Sequence, residues 1–470
     1  MQVPSHDYRP ERDQAVAGSQ ALSGTAAVKN LDAGTAGLLR WRKNPPREHP
    51  PAESTPSVHR THRAVPPCTR RRWLLAAVPW CTLPAACATR SEAKPQAPTL
   101  QVGPGRALQT IAEAARRARD GDLVEVDAGE YRGEAAIATW TQERLTIRAA
   151  GGRVRLVADG RAAEGKAIWV VRGGRIAVSG FDFEGARVAA RNGAGIRFEA
   201  GQLTVRRCSF TGNEMGLLTS NDPRAELVLQ FSEFAHNLRP DGHDHQLYAG
   251  SIASLAVWGC WFHHGSVGHL LKSRATVSRI FYSRLTDEAG GTSSYELEFP
   301  NGGVALVLGN VVQQGPMTDN PIMISYGAEG YRWPRNTLAL VHNTLVDELP
   351  EGGRYLRVVP GAVDLLAACN LLAGNASRLE DAGAGAGEYR ANAYAESALF
   401  ADPAAYDYRI RQAVAAALPA PTDPGRREGM SLVPTHEYLH PCATRALRRR
   451  PALPGALQTS ATPLERARNA

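Results

Sequence analysis

Three short segments of the sequence concentrate ionisable side chains that could exchange protons or bind anions. They are DGHDHQLYAG (241–250), GHLLKSRA (268–275) and SYELEFPNGG (294–303). Lysine, histidine and tyrosine can move a proton, and arginine binds a carboxylate through its planar fork. The segments therefore predict a site for acid–base chemistry on an anionic substrate.

The spacing of these residues predicts which of them meet. The same interval separates Lys272 from Glu296, Arg274 from Glu298, and Tyr248 from Lys272. If this interval, about 24 residues, makes one coil of a parallel structure, such residues lie about 4.8 Å apart on neighbouring strands. We expect Lys272 and Arg274 to face outward, directly against Glu296 and Glu298, with Tyr248 extending the row.

The predicted site has ten members, which we divide by role. The candidate catalytic residues are Lys272, His269, Arg274, Tyr248 and His243. The candidate substrate-binding residues are His245, Asp244, Glu296, Glu298 and Asn320. Lysine or histidine would be the base, Arg274 the carboxylate clamp and Tyr248 the acid. We expect no certain cofactor, and Glu296 and Glu298 would be the ligands if calcium is bound.

A purely structural alternative also accounts for the row. Opposite charges stacked along a sheet stabilise neighbouring strands by about 0.2–1 kcal/mol per pair. Three histidines within two coils, His243, His245 and His269, favour the functional interpretation, because a charge ladder does not need them. In the following coil Asp319, Asn320, Tyr326 and Glu329 are typical of turns and loops, although Asn320 follows Glu296 by the same interval.

An internal repeat predicts the fold that positions these side chains. A short strand, a small or polar residue, an apolar residue and a turn recur at intervals of about 23–33 residues. The apolar positions are Phe183, Phe210, Phe234, Phe262, Leu285, Val312, Leu345 and Leu372. The turn asparagines are Asn213, Asn237, Asn310 and Asn343. This period predicts an all-β chain, a single-stranded right-handed parallel β-helix in which each coil buries its apolar face against its neighbours.

An amphipathic segment precedes the repeat. Residues 102–133, VGPGRALQTIAEAARRARDGDLVEVDAGEYRG, place apolar residues with helical period from Leu108 to Ala118, followed by a turn at Gly121 and a strand. A helix here would cap the open end of the solenoid. The order of Gly-Pro-Gly, helix, Gly-Asp and Gly-x-Tyr resembles the N-terminal cap of pectin-lyase-like β-helix proteins. The resemblance covers roughly residues 98–415 and implies fold, not function.

Two enzyme families resemble the ionisable segments. Lys272-Ser273 is similar to the strand end that carries the catalytic base of the calcium-dependent alginate lyase and chondroitinase B family. That family places its acidic calcium ligands before the lysine, whereas Glu296 and Glu298 follow it here. Asp241-Gly242-His243-Asp244, followed by His269 and Ser273-Arg274, resembles the motifs of periplasmic mannuronan epimerases, with glycine where that family has proline.

Both resemblances imply one reaction class. The uronate carboxylate is neutralised, the proton on carbon 5 is removed, and the sugar then either loses its glycosidic oxygen or regains a proton on the other face. We expect a polysaccharide lyase or uronate epimerase acting on an acidic polysaccharide. A non-catalytic glycan-binding or cell-envelope matrix β-helix remains the alternative. The Gly-His-Gly and Arg-x-Lys patterns of polygalacturonases and the Arg-x-Pro-x-x-Arg of pectate lyases are absent.

The charge distribution argues against a nucleic-acid partner. The chain has a net charge of +8, but residues 101–415 contain 32 Lys and Arg against 35 Asp and Glu. The basic excess therefore lies in the tails, whereas nucleic-acid binding needs a basic footprint on the folded part. No Cys-x-x-Cys pair is present, and Cys208, Cys260 and Cys369 are predicted to be small buried residues of the coils. We expect a monomer.

The terminal segments predict export. TRRRWLLAAVPWCTLPAACA (69–88) combines arginines, a short apolar stretch and small residues, which is typical of a secretory signal rather than a membrane span. Cleavage after Ala88 and lipidation of Cys87 both remain open, so the chain would be periplasmic, secreted or an outer-membrane lipoprotein. We divide it into an unpatterned extension (1–64), the signal (65–95), the β-helix (98–415) and a loosely packed tail (416–470).

Overall fold

The computed structural model describes residues 98–238, 242, 244–318, 320–379 and 387–461. Within them the backbone winds into a solenoid whose coils each contribute up to three strands, and each strand pairs in parallel with the equivalent strand of the next coil. The parallel β-helix predicted from the repeat is therefore confirmed. Its strands form three columns, because the coil turns at three corners.

One column forms a separate nine-stranded sheet, which we call the front sheet. Its strands are Ala138–Trp140, Ala167–Val171, Ala194–Phe198, Met215–Thr219, His245–Ala249, His269–Ser273, Tyr295–Phe299, Ile322–Tyr326 and Arg354–Val358.

The other two columns join into one 21-stranded sheet, which we call the back sheet. Its first column comprises Thr99–Val102, Leu123–Arg132, Arg144–Val157, Arg175–Ser179, Gln202–Arg206, Glu226–Gln230, Ser254–Trp258, Val277–Phe281, Val304–Leu308, Thr337–Val341, Asp364–Ala368 and Glu388–Arg390. Its second column comprises Phe181–Glu184, Ser209–Thr211, Glu233–Ala235, Trp261–His263, Arg284–Thr286, Val311–Gln314, Thr344–Asp347, Leu371–Gly374 and Ala393–Ala395.

The apolar repeat forms one continuous stack inside the solenoid. All eight predicted positions, from Phe183 to Leu372, pair in register from coil to coil. The rings of Phe183, Phe210, Phe234 and Phe262 stack nearly parallel, with centroids 4.9, 4.6 and 4.7 Å apart. Their spacing matches that of hydrogen-bonded strands, so the same register satisfies the backbone and the core.

Two asparagine ladders run along different corners. Asn213 Nδ2 donates to Asn237 Oδ1 over 2.9 Å. Asn310 donates in the same way to Asn343 over 3.0 Å, and Asn343 donates to Asn370 over 3.1 Å. All five side chains are buried, so each amide satisfies backbone and side-chain groups that water cannot reach. The asparagines at the predicted turn positions therefore stack from coil to coil.

A helix lies beside the first coils. The helix α1 spans Ile111–Arg117 and begins at Thr110, whose hydroxyl accepts a hydrogen bond from the amide of Glu113 while the Glu113 carboxylate accepts one from the amide of Thr110. Its buried residues Ile111 and Ala114 join the main apolar core. A second, single-turn helix spans Gln412–Ala415. No helix in the described ranges has the length and apolar character needed to cross a bilayer.

The segment after the last coil folds back onto the back sheet. Short antiparallel hairpins pair Phe400–Asp402 with Asp407–Ile410, Arg426–Arg427 with Met430–Ser431, and His436–Leu439 with Ala443–Ala446. Single 3-10 turns occur at Gly133–Ala135, Ser397–Leu399 and Pro403–Ala405. Leu432, Tyr438 and Ala456 are buried within the segment for which loose packing is expected.

Several sequence-based predictions concern terminal residues and domain limits. The extension 1–64, the export signal 65–95 and Cys87 all lie outside the described residues. The limits of the four segments stay predictions. Cys208, Cys260 and Cys369 are buried free thiols, in agreement with their predicted place inside the coils.

Candidate functional site

The front-sheet strands have an unusual order of inward and outward side chains. In His269–Ser273, the first and fourth residues, His269 and Lys272, face outward, whereas Leu270, Leu271 and Ser273 are completely buried. Two consecutive inward residues interrupt the simple alternation expected of a strand. The outward positions of each coil therefore form two parallel columns on the outer face.

The coil-to-coil register defines the residues of these columns. Tyr248 pairs with Lys272, and Lys272 pairs with Glu298. The prediction that Tyr248 lies beside Lys272 is confirmed, but the predicted pairs Lys272–Glu296 and Arg274–Glu298 are wrong. His269 pairs with Tyr295. If this coil were as long as the one from Tyr248 to Lys272, His269 would instead pair with Ser293. This coil is therefore longer than the preceding one by two positions.

Glu296 is the clearest departure from the predicted site. It is the second residue of Tyr295–Phe299 and faces inward, with no exposed surface, and neither carboxylate oxygen has a hydrogen-bond partner within the described part of the chain. Burial, together with the nearby carboxylate of Asp287, raises the pKa of Glu296 well above its usual range. Glu296 is thus a neutral core residue rather than a contact for a polysaccharide.

The geometry also argues against a calcium site shared by Glu296 and Glu298. The two carboxylates lie on opposite faces of the same strand, because Glu296 points into the core and Glu298 points outward. Glu298 Oε2 already lies 3.0 Å from Lys272 Nζ and 3.2 Å from His269 Nδ1. Calcium needs several oxygen ligands around one point, and this pair does not supply them.

Arg274 binds three other side chains, those of Tyr248, Asn301 and Glu329. Its Nε donates to the Tyr248 hydroxyl over 2.7 Å, and its Nη1 donates to Asn301 Oδ1 over 2.7 Å. Its two Nη atoms also bind the Glu329 carboxylate in a fork, with Nη2 2.8 Å from Oε1. Lys272 Nζ reaches the same Oε1 at 3.1 Å. Two cations therefore converge on one carboxylate.

The charges of this cluster are tightly balanced. The side chains of Lys272 and Arg274 are only 12% and 15% exposed, whereas that of Glu329 is 37% exposed. Burial opposes the charged form of Lys272, yet the carboxylates of Glu298 and Glu329 raise its pKa. Burial likewise opposes ionisation of Glu329, but Arg274 and Lys272 lower its pKa. Lys272 and Arg274 are thus cations at neutral pH.

Glu298 and the imidazoles line the other side of Lys272. Burial raises the pKa of Glu298, and the positive charge of Lys272 limits the rise. The backbone amide of His269 donates to His245 Nδ1 over 3.0 Å, and the two rings lie 4.6 Å apart. The His245 ring also stacks on Tyr248 at 5.4 Å. Imidazole, phenol, carboxylate and two cations are therefore adjacent.

Three predicted members lie away from the cluster or outside the described residues. Asn320 does not extend the row, because Ser325 is the residue that pairs with Glu298; its side chain instead accepts a hydrogen bond from the amide of Ile322 and caps that strand. Asp244 is buried, with 2% of its surface exposed, before the strand that begins at His245. His243 lies outside the described residues.

Two members of the cluster were not predicted as site residues. Asn301 and Glu329 both come from turns that follow front-sheet strands, and both bind Arg274. Sequence spacing predicts pairs within strands but not the reach of a corner loop. The sequence signal was that Glu329 lies between Gly327 and Gly330, which indicates a turn. In this turn the backbone amide of Glu329 donates a hydrogen bond to the carbonyl of Pro300 in the preceding coil.

Comparisons with known proteins include a structural likeness. The chain matches no protein-family model and no curated protein sequence. Its structure is similar to the crystal structure of pectate lyase Pel9A, with 12% sequence identity over 72% of this chain and 89% of that chain, and a TM-score of 0.47. The side chains of the front sheet, and not a family assignment, carry the functional information.

The buried Glu296 predicts a specific pH dependence of stability. Its folded-state pKa is raised above the unfolded value near 4.5, so its contribution to stability is complete below that pH and is lost as pH rises toward the folded pKa. Relative to Glu296→Gln, the wild type should lose about 1.4 kcal/mol of unfolding free energy per pH unit across that window. Chemical denaturation at several pH values measures this difference.

Glu134→Gln, which removes an exposed carboxylate, controls for the substitution itself. Parallel stability–pH curves for wild type and Glu296→Gln would show that Glu296 is not a buried neutral acid.

Proposed function

We propose that this chain acts on a uronate-containing polysaccharide by removing the proton on carbon 5, as a lyase or an epimerase. The observation that carries the proposal is the convergence of Lys272 and Arg274 on one carboxylate, beside an imidazole and a phenol. Export, as the arginine-rich segment 69–88 predicts, would bring the chain to such polymers.

The carboxylate of Glu329 stands where a uronate carboxylate would bind. Arg274 holds it with both Nη atoms, and Lys272 contacts the same oxygen. A planar guanidinium and a nearby ammonium are the groups that neutralise a carboxylate most effectively. Since Glu329 comes from a corner turn and is the most exposed of the three, substrate could displace it without unfolding a strand. Neutralising the uronate carboxylate lowers the cost of forming a carbanion beside it.

His269 is the base that the geometry favours over Lys272. Its Nδ1 lies 3.2 Å from Glu298 Oε2, and a carboxylate at that nitrogen orients the ring so that Nε2 would take the proton. Lys272 is less suited to this role, because the raised pKa keeps it protonated at neutral pH. The lysine then serves to bind the carboxylate and to stabilise the developing negative charge.

Tyr248 supplies the proton that completes either reaction. Its oxygen accepts a hydrogen bond from Arg274 Nε, which leaves the phenolic proton for donation. In the lyase reaction the proton on carbon 5 passes to His269, the bond from carbon 4 to the glycosidic oxygen breaks, and Tyr248 protonates that oxygen. In the epimerase reaction Tyr248 protonates carbon 5 from the other face. Solvent returns the proton to the phenol and removes the one on the imidazole.

The first test is activity on alginate, pectate and glycosaminoglycans. Lyase activity appears as the ultraviolet absorbance of unsaturated uronate, and epimerisation appears as a change of uronate stereochemistry by NMR. His269→Gln should lower kcat by about 10²–10⁴-fold, because it removes the general base, whereas His436→Gln, away from the front sheet, should leave kcat unchanged. Binding of these polymers without either reaction would favour the non-catalytic alternative, and full activity in His269→Gln would exclude His269 as the base.

A second test addresses the role of Glu329. If its carboxylate competes with substrate for Lys272 and Arg274, Glu329→Ala should lower KM by roughly 5-fold, since displacing a partly exposed ion pair costs about 1 kcal/mol. The value of kcat should change little. A raised KM would mean that Glu329 contributes to binding instead of blocking it.

A further inference from the structure

Three histidines converge at a corner that the proposed polysaccharide chemistry does not use. His263 ends a strand of the back sheet and His264 follows it. His236 follows Ala235, the residue that pairs with His263 in the preceding coil. Parallel stacking of two coils therefore brings three imidazoles together from two separate parts of the sequence.

The imidazole nitrogens are close enough to share one ion. One ring nitrogen from each histidine lies within 4.8 Å of the others, and His263 Nδ1 is 2.5 Å from His264 Nδ1. The rings of His236 and His264 have centroids 4.5 Å apart. A tetrahedral Zn²⁺ with bonds of about 2.0–2.1 Å separates its nitrogen ligands by about 3.3 Å. Small side-chain rotations would therefore reach ligand geometry.

A carboxylate already orients the central imidazole. His263 Nε2 lies 3.1 Å from Glu233 Oε1, and the hydrogen bond from His263 lowers the pKa of Glu233. Metal-binding histidines characteristically donate their second nitrogen to a carboxylate, which leaves the first as a ligand. The ring of Trp261 stacks on His263 at 3.6 Å and restricts its rotation further. His263 is thus held with Nδ1 directed at its neighbours.

The cluster is open to solvent on one side. His263 is buried and His264 is half-buried, and a neutral imidazole carries the lone pair that a metal ion needs. His236 is exposed, so an ion can enter from solvent.

We propose that His236, His263 and His264 form a binding site for a divalent transition-metal ion, with Zn²⁺ as the representative ion. Imidazole ligands suit Zn²⁺, Cu²⁺ and Ni²⁺, whereas Ca²⁺ and Mg²⁺ require oxygen ligands. Three protein ligands leave a fourth position open to water or to an anionic group. The site links two consecutive coils at the ends of back-sheet strands, apart from the front-sheet cluster.

The test is metal binding by the full chain, free of any added histidine tag. Calorimetric titration with Zn²⁺ should show one ion bound per chain, and Co²⁺ should give the visible absorption of a four-coordinate complex. His264→Gln should abolish both signals. Glu233→Gln should weaken Zn²⁺ binding by about 10- to 100-fold, because the carboxylate only orients a ligand.

His436→Gln, which removes a histidine outside the cluster, is the matched control and should bind as the wild type does. Circular dichroism of the metal-free His264→Gln variant tests whether it folds. If it does not fold, His236→Gln replaces it as the test variant, because His236 is exposed. Binding that is absent in the wild type, or that is unchanged in both His264→Gln and His236→Gln, would overturn the proposal.

Discussion

The parallel hydrogen-bonded register between successive coils is the constraint on which the rest of this structure depends. Each strand must lie about 4.8 Å from the equivalent strand of the next coil, so every side chain is placed beside a defined partner one coil away. The phenylalanine stack, with ring centroids 4.6–4.9 Å apart, obeys this spacing. The asparagine ladders likewise join equivalent residues of successive coils. The same constraint assembles Tyr248, Lys272 and Glu298, which are distant in sequence.

Coil length explains how much of the site could be predicted from the sequence. The core repeat was predicted residue by residue, because apolar side chains identify the register wherever they recur. Charged residues such as Lys272 and Glu296 do not identify the register in this way. Because the coil between them is longer, Lys272 pairs with Glu298, two positions after Glu296. The inward orientation of Glu296 also results from two consecutive inward residues, Glu296 and Leu297, which simple alternation does not predict. Loop contacts such as that of Glu329 with Arg274 depend on backbone paths that spacing does not encode.

Burial separates the outer-face cluster from an ordinary charge ladder. An exposed ladder contributes little and requires no desolvation. Here Lys272, Arg274 and Glu298 are mostly shielded from water, and each charge is compensated by an opposite one. Desolvating several charges is costly, and removing one partner leaves another uncompensated. A cluster that can exchange Glu329 for another carboxylate keeps its charge balance while it binds an anion, which fits recognition of a uronate.

Calorimetric binding of a uronate oligosaccharide and of its carboxyl-reduced counterpart tests this account most directly. The two ligands differ only in the carboxylates that Lys272 and Arg274 are proposed to hold. The account predicts that the wild type binds the uronate and not the reduced sugar, and that Arg274→Ala removes the difference. Equal binding of the two ligands by the wild type would contradict it.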